Sequence, residues 1–189
     1  MTEENTLEFL HVLARLKETF RHSWSASGRR ESVAEHCFRL AALWLLIDEE
    51  FPEVDRERVL RMCLIHDFGE AVIGDIPSFE KTLEDEAQES RAVDALLAQL
   101  SASKRREFSD LFAEMQAMET REAKIWRALD MMEAAISHNE APLSTWLPLE
   151  RELNPHYGEA EAQCEPYLSR LRALVRRESE EKLRRESAQ

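Results

Sequence analysis

Residues that interrupt helices are scarce in this sequence. Its 189 residues include only four glycines and six prolines, while leucine, alanine, glutamate and arginine, which favour helices, are abundant. No strand-like alternation of apolar and polar residues, no internal repeat and no linker stands out. We therefore expect an all-α protein that folds as a single domain over residues 1–189.

Cysteine and long apolar runs are also scarce. The three cysteines lack C-x-x-C spacing and fit a reducing compartment better than a disulfide framework. The longest apolar run, LAALWLLI at residues 40–47, is less than half the length of a membrane span. The acidic start, MTEENTLEFLHVLARLK, lacks the apolar core of a signal peptide. These absences predict a soluble, cytoplasmic protein that does not bind a membrane.

Positive charge is in deficit, because the formal net charge is −13. Residues 48–94 carry fifteen acidic and five basic side chains. A surface of this sign repels nucleic acid polymers and anionic membranes. Residues 1–40 are balanced, with six acidic and six basic side chains. An anionic small molecule would therefore need a local cationic site, which this N-terminal region is best able to provide.

Apolar residues recur at helical spacing along most of the chain. The pattern predicts helices at about 5–21, 32–51, 55–71, 83–100, 103–117, 119–138 and from Pro166, with room for one short helix in the Pro-rich stretch 139–155. Residues 21–30, RHSWSASGRR, are predicted to form a polar loop. Ser32 and Glu35 are spaced as a capping box for the second helix, and Asp55 is placed to cap the third.

Metal-binding side chains stand where three of these helices should present core residues. His36 lies in the first turn of the second helix, and the adjacent His66 and Asp67 lie on the third. Asp130 borders an apolar stripe of a later helix. Taken singly, such a histidine is more often a core residue and such an aspartate a half-exposed acid. Together they favour a divalent metal ion, which cancels carboxylate charge and accepts imidazole lone pairs.

Three segments also match a known family. ESVAEH at 31–36, HDFGEAVIGDIP at 66–77 and ALD at 128–130 resemble motifs of the HD-domain metal-dependent phosphohydrolases. Within that superfamily the chain is similar to the short, stand-alone bacterial 5′-deoxynucleotidases and their relatives. The resemblance implies a homodimer of helical bundles, each with about seven to eight helices. It places the core at about 7–140 and a C-terminal helical extension at 141–189.

The H…HD…D pattern of this family implies one bound metal ion. Its ligands would be His36, His66, Asp67 and Asp130. A second metal would need further histidines between the HD pair and the last aspartate, and the sequence has none from Phe68 to Leu129. The ion could be manganese, cobalt, nickel, iron or zinc, because all of them accept imidazole and carboxylate ligands.

The same resemblance implies roles for residues around the metal. Glu70 would be the catalytic acid or base, and Asp75, also a catalytic candidate, would contact the nucleotide sugar or help to order the site. Arg21 would bind the substrate phosphate. Trp24, three residues further along the chain, could cover a base or sugar if it lies near the site, although the resemblance itself does not assign it this role. Lys81 would place a further cation near the site.

The predicted function is removal of the 5′-phosphate of (deoxy)nucleoside 5′-monophosphates by a metal-activated water. His22 stands where the bacterial enzymes carry a tryptophan directly after the arginine, so the sugar preference stays open. One alternative is an HD hydrolase of another phosphate ester, such as a guanosine polyphosphate. A second alternative is a non-catalytic, metal-stabilised regulatory domain.

Overall fold

The computed structural model describes residues 1–77 and 80–187. Its helices are α1 (Glu3–Leu13), α2 (Val33–Ile47), α3 (Arg56–Ile65), α4 (Glu70–Ile73), α5 (Leu83–Leu97), α6 (Ala102–Ala117), α7 (Arg121–Glu140), α8 (Pro148–Leu153) and α9 (Pro166–Ser187). Two short antiparallel strands, β1 (Phe20–Trp24) and β2 (Arg30–Ser32), form a hairpin between α1 and α2. Helices make up most of the described chain, so the prediction of an all-α fold is confirmed. None of these helices is both long enough and apolar enough to cross a membrane.

The hydrophobic core lies between α2, α3 and α7, and α9 also packs against α7. Apolar residues spaced three or four apart give each helix one buried face. The fully buried members include Leu40, Trp44, Val59, Met62, Leu129 and Met132. The indole N–H of Trp44 donates to the carbonyl of Arg56 over 2.9 Å, which joins α2 to the start of α3. Because the predicted metal ligands lie on α2 and α7 and just after α3, this packing sets the geometry of the site.

The segment between α1 and α2 differs from the prediction. The first predicted helix ends at Leu13 and continues as a 3-10 turn, Ala14–Lys17. The loop predicted at 21–30 lies instead within the β hairpin. Aromatic residues such as those at both ends of β1 favour strands. Gly28 closes the hairpin with φ of 82°, a conformation that glycine adopts without strain.

The third predicted helix is broken into two. α3 ends at Ile65 and α4 begins at Glu70. Between them the N–H of Glu70 binds the carbonyl of Asp67 over 3.0 Å, so the bond spans three residues rather than four. Bonds of this type turn the backbone more tightly than an α-helix does. The pair His66–Asp67 therefore lies in a tight turn and not inside a regular helix.

Several local predictions are confirmed. Ser32 and Glu35 form the capping box of α2, with the Ser32 N–H donating to the Glu35 carboxylate over 2.9 Å. Asp55 caps α3 by accepting from the N–H of Arg58 over 3.0 Å. The last helix begins at Pro166, and one short helix, α8, lies in the stretch predicted to hold it. The division into one core and a C-terminal extension stays a prediction.

Candidate active site

The four predicted ligands converge in the core. The Nε2 atoms of His36 and His66 lie 3.3 Å apart. Oδ1 of Asp130 lies 3.1 Å from Nε2 of His36 and 3.7 Å from Nε2 of His66. Oδ2 of Asp67 lies 3.2 Å from Nε2 of His66 and 3.9 Å from Nε2 of His36. Coordination bonds of about 2 Å to one ion would join donor atoms at such separations.

The second nitrogen of each imidazole is bound by the protein. Nδ1 of His66 lies 3.1 Å from the carbonyl oxygen of Cys63, which only accepts hydrogen bonds. Nδ1 of His36 lies 2.5 Å from Oε2 of Glu133. In its neutral form each ring therefore keeps its proton on Nδ1 and turns the Nε2 lone pair toward the other ligands. With the two carboxylates, this donor set fits a divalent cation.

Without a metal, the carboxylates hold protons on the imidazoles. Burial opposes the charge of His66, but Asp67 and Asp130 outweigh it and raise the pKa of His66 to about 10. Burial also opposes the charge of Asp67, yet His66 and His36 lower the pKa of this carboxyl to about 2. The same two rings hold the pKa of Asp130 well below its ordinary value despite burial. A cation entering the site would replace these protons.

Glu70 and Asp75 extend the cluster of carboxyl groups. Glu70 is buried, and its Oε2 has no hydrogen-bond partner among the described residues. Burial, together with Asp67 and Asp75, raises the pKa of Glu70 to about 10, so this carboxyl holds a proton at neutral pH. Asp75 is half-buried and accepts a hydrogen bond from the backbone N–H of His22, while burial raises its pKa. The carboxyl group of Glu70 is thus a protonated acid next to the predicted ligand Asp67.

Arg21 reaches the ligands from strand β1. Its Nη1 lies 3.6 Å from Oδ2 of Asp67, and its Nε lies 3.8 Å from Oε2 of Glu31. Both distances exceed that of a hydrogen bond, and Nε has no hydrogen-bond partner within the described chain. Burial opposes the charge, but Asp67 and Asp130 raise the pKa of Arg21 above its ordinary value. A charged guanidinium with an unsatisfied N–H beside the ligands can bind an anion.

Trp24 packs within the hairpin. Its ring meets that of His22 edge to face, with the centroids 4.7 Å apart. The guanidinium of Arg30 lies over the same ring, 5.6 Å from its centroid. For residues 1–77 and 80–187, no described hydrogen bond, ion pair or ring contact joins Trp24 to the four ligands. A substrate contact would therefore have to share this ring with His22 and Arg30.

Lys81 lies just before α5 and forms an ion pair with Glu89 of that helix. Burial opposes its charge, but Glu89 and, more weakly, Glu70 and Asp67 raise the pKa of Lys81. The ammonium group is therefore within electrostatic reach of the site, although its direct partner is Glu89.

The prediction from sequence missed a buried network behind His36. The Ser137 hydroxyl lies 3.0 Å from Oε1 of Glu133 and 3.2 Å from Oε1 of Glu31. Nε of Arg39 lies 3.1 Å from Oε1 of Glu133. The available signal is a glutamate one turn after Asp130, in an otherwise apolar part of α7. A buried carboxylate needs a partner, and here that partner is the predicted metal ligand His36.

The histidines that follow Asp130 in the chain have other partners. Nε2 of His138 lies 3.2 Å from Oε1 of Glu150. Nδ1 of His156 lies 3.1 Å from Oε2 of Glu159. These contacts leave the prediction of a single metal ion in place.

A protein-family model matches most of this sequence. The family model described as "HD domain" matches residues 13–172. The chain belongs to the HD-domain family.

Two of the similar proteins are named as 5′-deoxynucleotidases, and a similar solved structure is described as a predicted metal-dependent phosphohydrolase. The 5′-deoxynucleotidase hdd1 of Schizosaccharomyces pombe is 33% identical over 133 residues, 66% of this chain and 66% of that protein, just under two thirds of its length. The 5′-deoxynucleotidase HDDC2 of Dictyostelium discoideum is 30% identical over 146 residues, 72% of this chain and 77% of that protein. A crystal structure from Magnetospirillum magnetotacticum, described as a predicted metal-dependent phosphohydrolase, is 28% identical with a TM-score of 0.82. The match covers 96% of this chain and 93% of the chain in that crystal structure.

Proposed function

We propose that this chain is a metal-dependent phosphohydrolase that removes the 5′-phosphate of deoxynucleoside 5′-monophosphates. The observation that carries the proposal is the convergence of two imidazoles and two carboxylates beside the buried carboxyl group of Glu70 and the half-buried guanidinium of Arg21. The names of the related 5′-deoxynucleotidases and of the structural neighbour support it. The products would be a deoxynucleoside and inorganic phosphate.

One divalent cation would be held by His36, His66, Asp67 and Asp130. When bound, such a cation supplies a more acidic water and neutralises negative charge on a phosphate. Nitrogen and oxygen donors of this kind accept manganese, iron, cobalt, nickel or zinc, so the ligands alone do not select the metal.

Glu70 is the proposed general acid. Its carboxyl group is buried beside Asp67, and in the metal-free protein its raised pKa of about 10 favours the protonated form. When water attacks phosphorus and the bond to the sugar 5′-oxygen breaks, the leaving oxygen needs a proton, which Glu70 can donate. Asp75, fixed by the N–H of His22, would contact the sugar or keep this part of the site ordered.

Arg21 is the proposed phosphate-binding residue. Its guanidinium lies beside Asp67 at distances longer than hydrogen bonds, so a phosphate oxygen can gain a stronger contact than the existing ones. Lys81 would add a second positive charge by exchanging Glu89 for the phosphate. Trp24 would contribute an aromatic surface for the base or sugar from the same hairpin.

We extend the proposal to a cytoplasmic homodimer. Helix α2 exposes three large apolar side chains, Phe38, Leu45 and Leu46. A second copy would cover such a surface and remove it from water. The three free cysteines fit a reducing compartment. Light scattering after gel filtration should give twice the chain mass of 22.0 kDa, and a mass of one chain would contradict the dimer.

The two alternatives explain fewer of the contacts. A guanosine polyphosphate carries more negative charge, but the cations that contact the four ligands within the described chain are Arg21 and Arg127. A purely structural metal site would need only the four ligands. Such a site would give no role to the buried carboxyl group of Glu70 or to the ion pairs that Arg21 forms with Glu31 and Asp67.

A substrate panel tests the proposal. Purified protein with added manganese or cobalt should release phosphate from deoxynucleoside 5′-monophosphates, with ribonucleotides and a guanosine polyphosphate in the same panel. An Asp67→Asn variant, which removes the charge of one ligand, serves as the metal-binding control. Metal-loaded protein that releases phosphate from none of the deoxynucleotides would refute the assignment. Release from the polyphosphate alone would support the first alternative.

A further inference from the structure

Glu133 contacts His36 on the side opposite the other three ligands. Its Oε2 lies 2.5 Å from Nδ1 of the ring, whereas the other ligands surround Nε2. His36 is 0% exposed and Glu133 is 1% exposed. Water therefore cannot replace this contact. A hydrogen bond to an ionised carboxylate is stronger in such a buried environment than in water.

Glu133 is itself held in place from two directions. The Ser137 hydroxyl lies 3.0 Å from Oε1, one turn further along α7. Nε of Arg39, on α2, lies 3.1 Å from the same oxygen. Oε2 is thereby left to His36. The carboxylate has a fixed orientation and a cationic neighbour that helps to keep it ionised.

The two predicted histidine ligands are fixed in chemically different ways. His66 donates its Nδ1 proton to a neutral backbone carbonyl, that of Cys63. His36 donates to a carboxylate, which makes the imidazole a stronger electron donor at Nε2. A backbone carbonyl cannot be removed by a side-chain change, but Glu133 can be replaced. This difference makes the contribution of Glu133 measurable.

We propose that Glu133 is a positioning residue for metal binding, a role that rests on the metal site of the proposed function. Its carboxylate fixes the Nδ1-protonated form of His36, so that Nε2 offers its lone pair to the metal. A glutamine at this position would present an oxygen or an NH₂ group to Nδ1. When the NH₂ group faces Nδ1, the ring proton moves to Nε2 and blocks coordination.

The test is a Glu133→Gln variant, which preserves the shape of the side chain. Competition with a chelator should show cobalt and manganese binding about 10- to 100-fold weaker than in the wild type. In metal-free protein labelled with ¹⁵N in its histidines, at a pH high enough for the ring of His36 to be neutral, the NMR signals of His36 should move from the Nδ1-protonated toward the Nε2-protonated form. The signals of His66 should stay unchanged, because its partner is the backbone carbonyl of Cys63.

Glu150→Gln is the matched control. Glu150 is a buried glutamate whose Oε1 lies 3.1 Å from Nε2 of His22 and 3.2 Å from Nε2 of His138, neither of which is a predicted ligand. Its metal affinity should stay within about threefold of the wild type, since no ligand loses a partner. If Glu133→Gln does not fold, Ser137→Ala replaces it, and weaker metal binding is again expected because the carboxylate loses an orienting donor.

A folded Glu133→Gln or Ser137→Ala protein with wild-type metal affinity and an unchanged His36 tautomer would overturn the proposal. Neither measurement involves a nucleotide. A wild-type protein that binds metal but hydrolyses no nucleotide would therefore refute the proposed function and leave the role of Glu133 standing.

Discussion

Asp130 and Glu133, one turn apart on α7, contact the two nitrogens of a single imidazole. Oδ1 of Asp130 lies 3.1 Å from Nε2 of His36, and Oε2 of Glu133 lies 2.5 Å from Nδ1. Residues three apart on a helix share a face, so α7 alone holds the ring of His36 at both edges. The imidazole of His36, which α2 contributes to the site, is therefore oriented by side chains of α7.

Metal affinity should rise with pH. Burial opposes the charge of His66, but Asp67 and Asp130 raise its pKa to about 10. At any pH below this value, the metal must displace a proton from the ring. Affinity should therefore increase by up to about tenfold per pH unit for each proton released. Titration calorimetry at three pH values between about 6 and 8, in buffers of different ionisation enthalpy, measures the metal affinity and the number of protons released. An affinity independent of pH, with no proton released, would contradict this electrostatic account.

Glu70→Gln should lose turnover and keep its metal. The amide cannot donate the proton that the leaving sugar oxygen needs, so kcat should fall by about 100- to 10,000-fold. Metal affinity should change by no more than about threefold, because Glu70 is not one of the four predicted ligands. Phosphate release under saturating metal and substrate, with chelator competition on the same sample, separates the two effects. Full turnover would eliminate the role of Glu70 as an acid.

The proton on Glu70 should also affect stability. Burial, with Asp67 and Asp75, raises the pKa of this carboxyl from 4.5 to about 10. Between these values the folded protein holds a proton that the unfolded chain has released. The free energy of unfolding therefore falls with rising pH, by at most about 1.4 kcal/mol per pH unit from this group.

Glu70→Gln removes that dependence, so the variant should gain stability relative to the wild type as the pH rises from about 6 to 9. Urea unfolding of both proteins in the presence of a chelator provides the comparison. Parallel stability curves for the two proteins would show that Glu70 is already ionised at neutral pH.

Arg21→Gln should weaken substrate binding more than metal binding. Losing a charged contact to phosphate should raise KM by about 10- to 100-fold. Arg29→Gln is the control, because Arg29 lies in the same hairpin but pairs with Glu35 at the surface. Steady-state kinetics at saturating metal give the KM of both variants and of the wild type. Equal KM values for the two variants would exclude phosphate binding by Arg21.

Gly69→Ala should destabilise the turn that holds Asp67. A Cβ at this position would lie 2.8 Å from Cγ of Glu89 and 3.1 Å from Cγ2 of Val93, both on α5. Relieving such an overlap should cost about 1–3 kcal/mol of folding free energy. Thermal unfolding of the metal-free protein measures the loss. An unchanged melting temperature would mean that α5 moves away without cost.

Much of this molecule is predictable from local sequence patterns. Helical spacing of apolar residues identified the buried faces of α2, α3 and α7, because each helix buries one side. Side-chain chemistry at Ser32 and Pro166 marked helix starts, since caps depend on nearby residues only. The pattern around His36, His66, Asp67 and Asp130 was sufficient to predict that these side chains meet.

Features that depend on tertiary contacts were not predictable in this way. The helix expected through residue 71 breaks at His66, and the turn that follows packs closely against α5 at Gly69, a contact that no local pattern announces. The hairpin forms from residues that read as a polar loop, since pairing between Phe20 and Ser32 joins positions twelve residues apart. Glu133 gains its partner from α2, a contact between distant parts of the chain.

The most direct test is a crystal structure of the protein grown with manganese or cobalt, measured at wavelengths on both sides of the metal absorption edge. We expect one anomalous peak per chain, about 2.0–2.3 Å from Nε2 of His36 and His66 and from the carboxylates of Asp67 and Asp130. A fully loaded crystal whose peak lies elsewhere, or which lacks contact with one of these four side chains, would contradict this expectation.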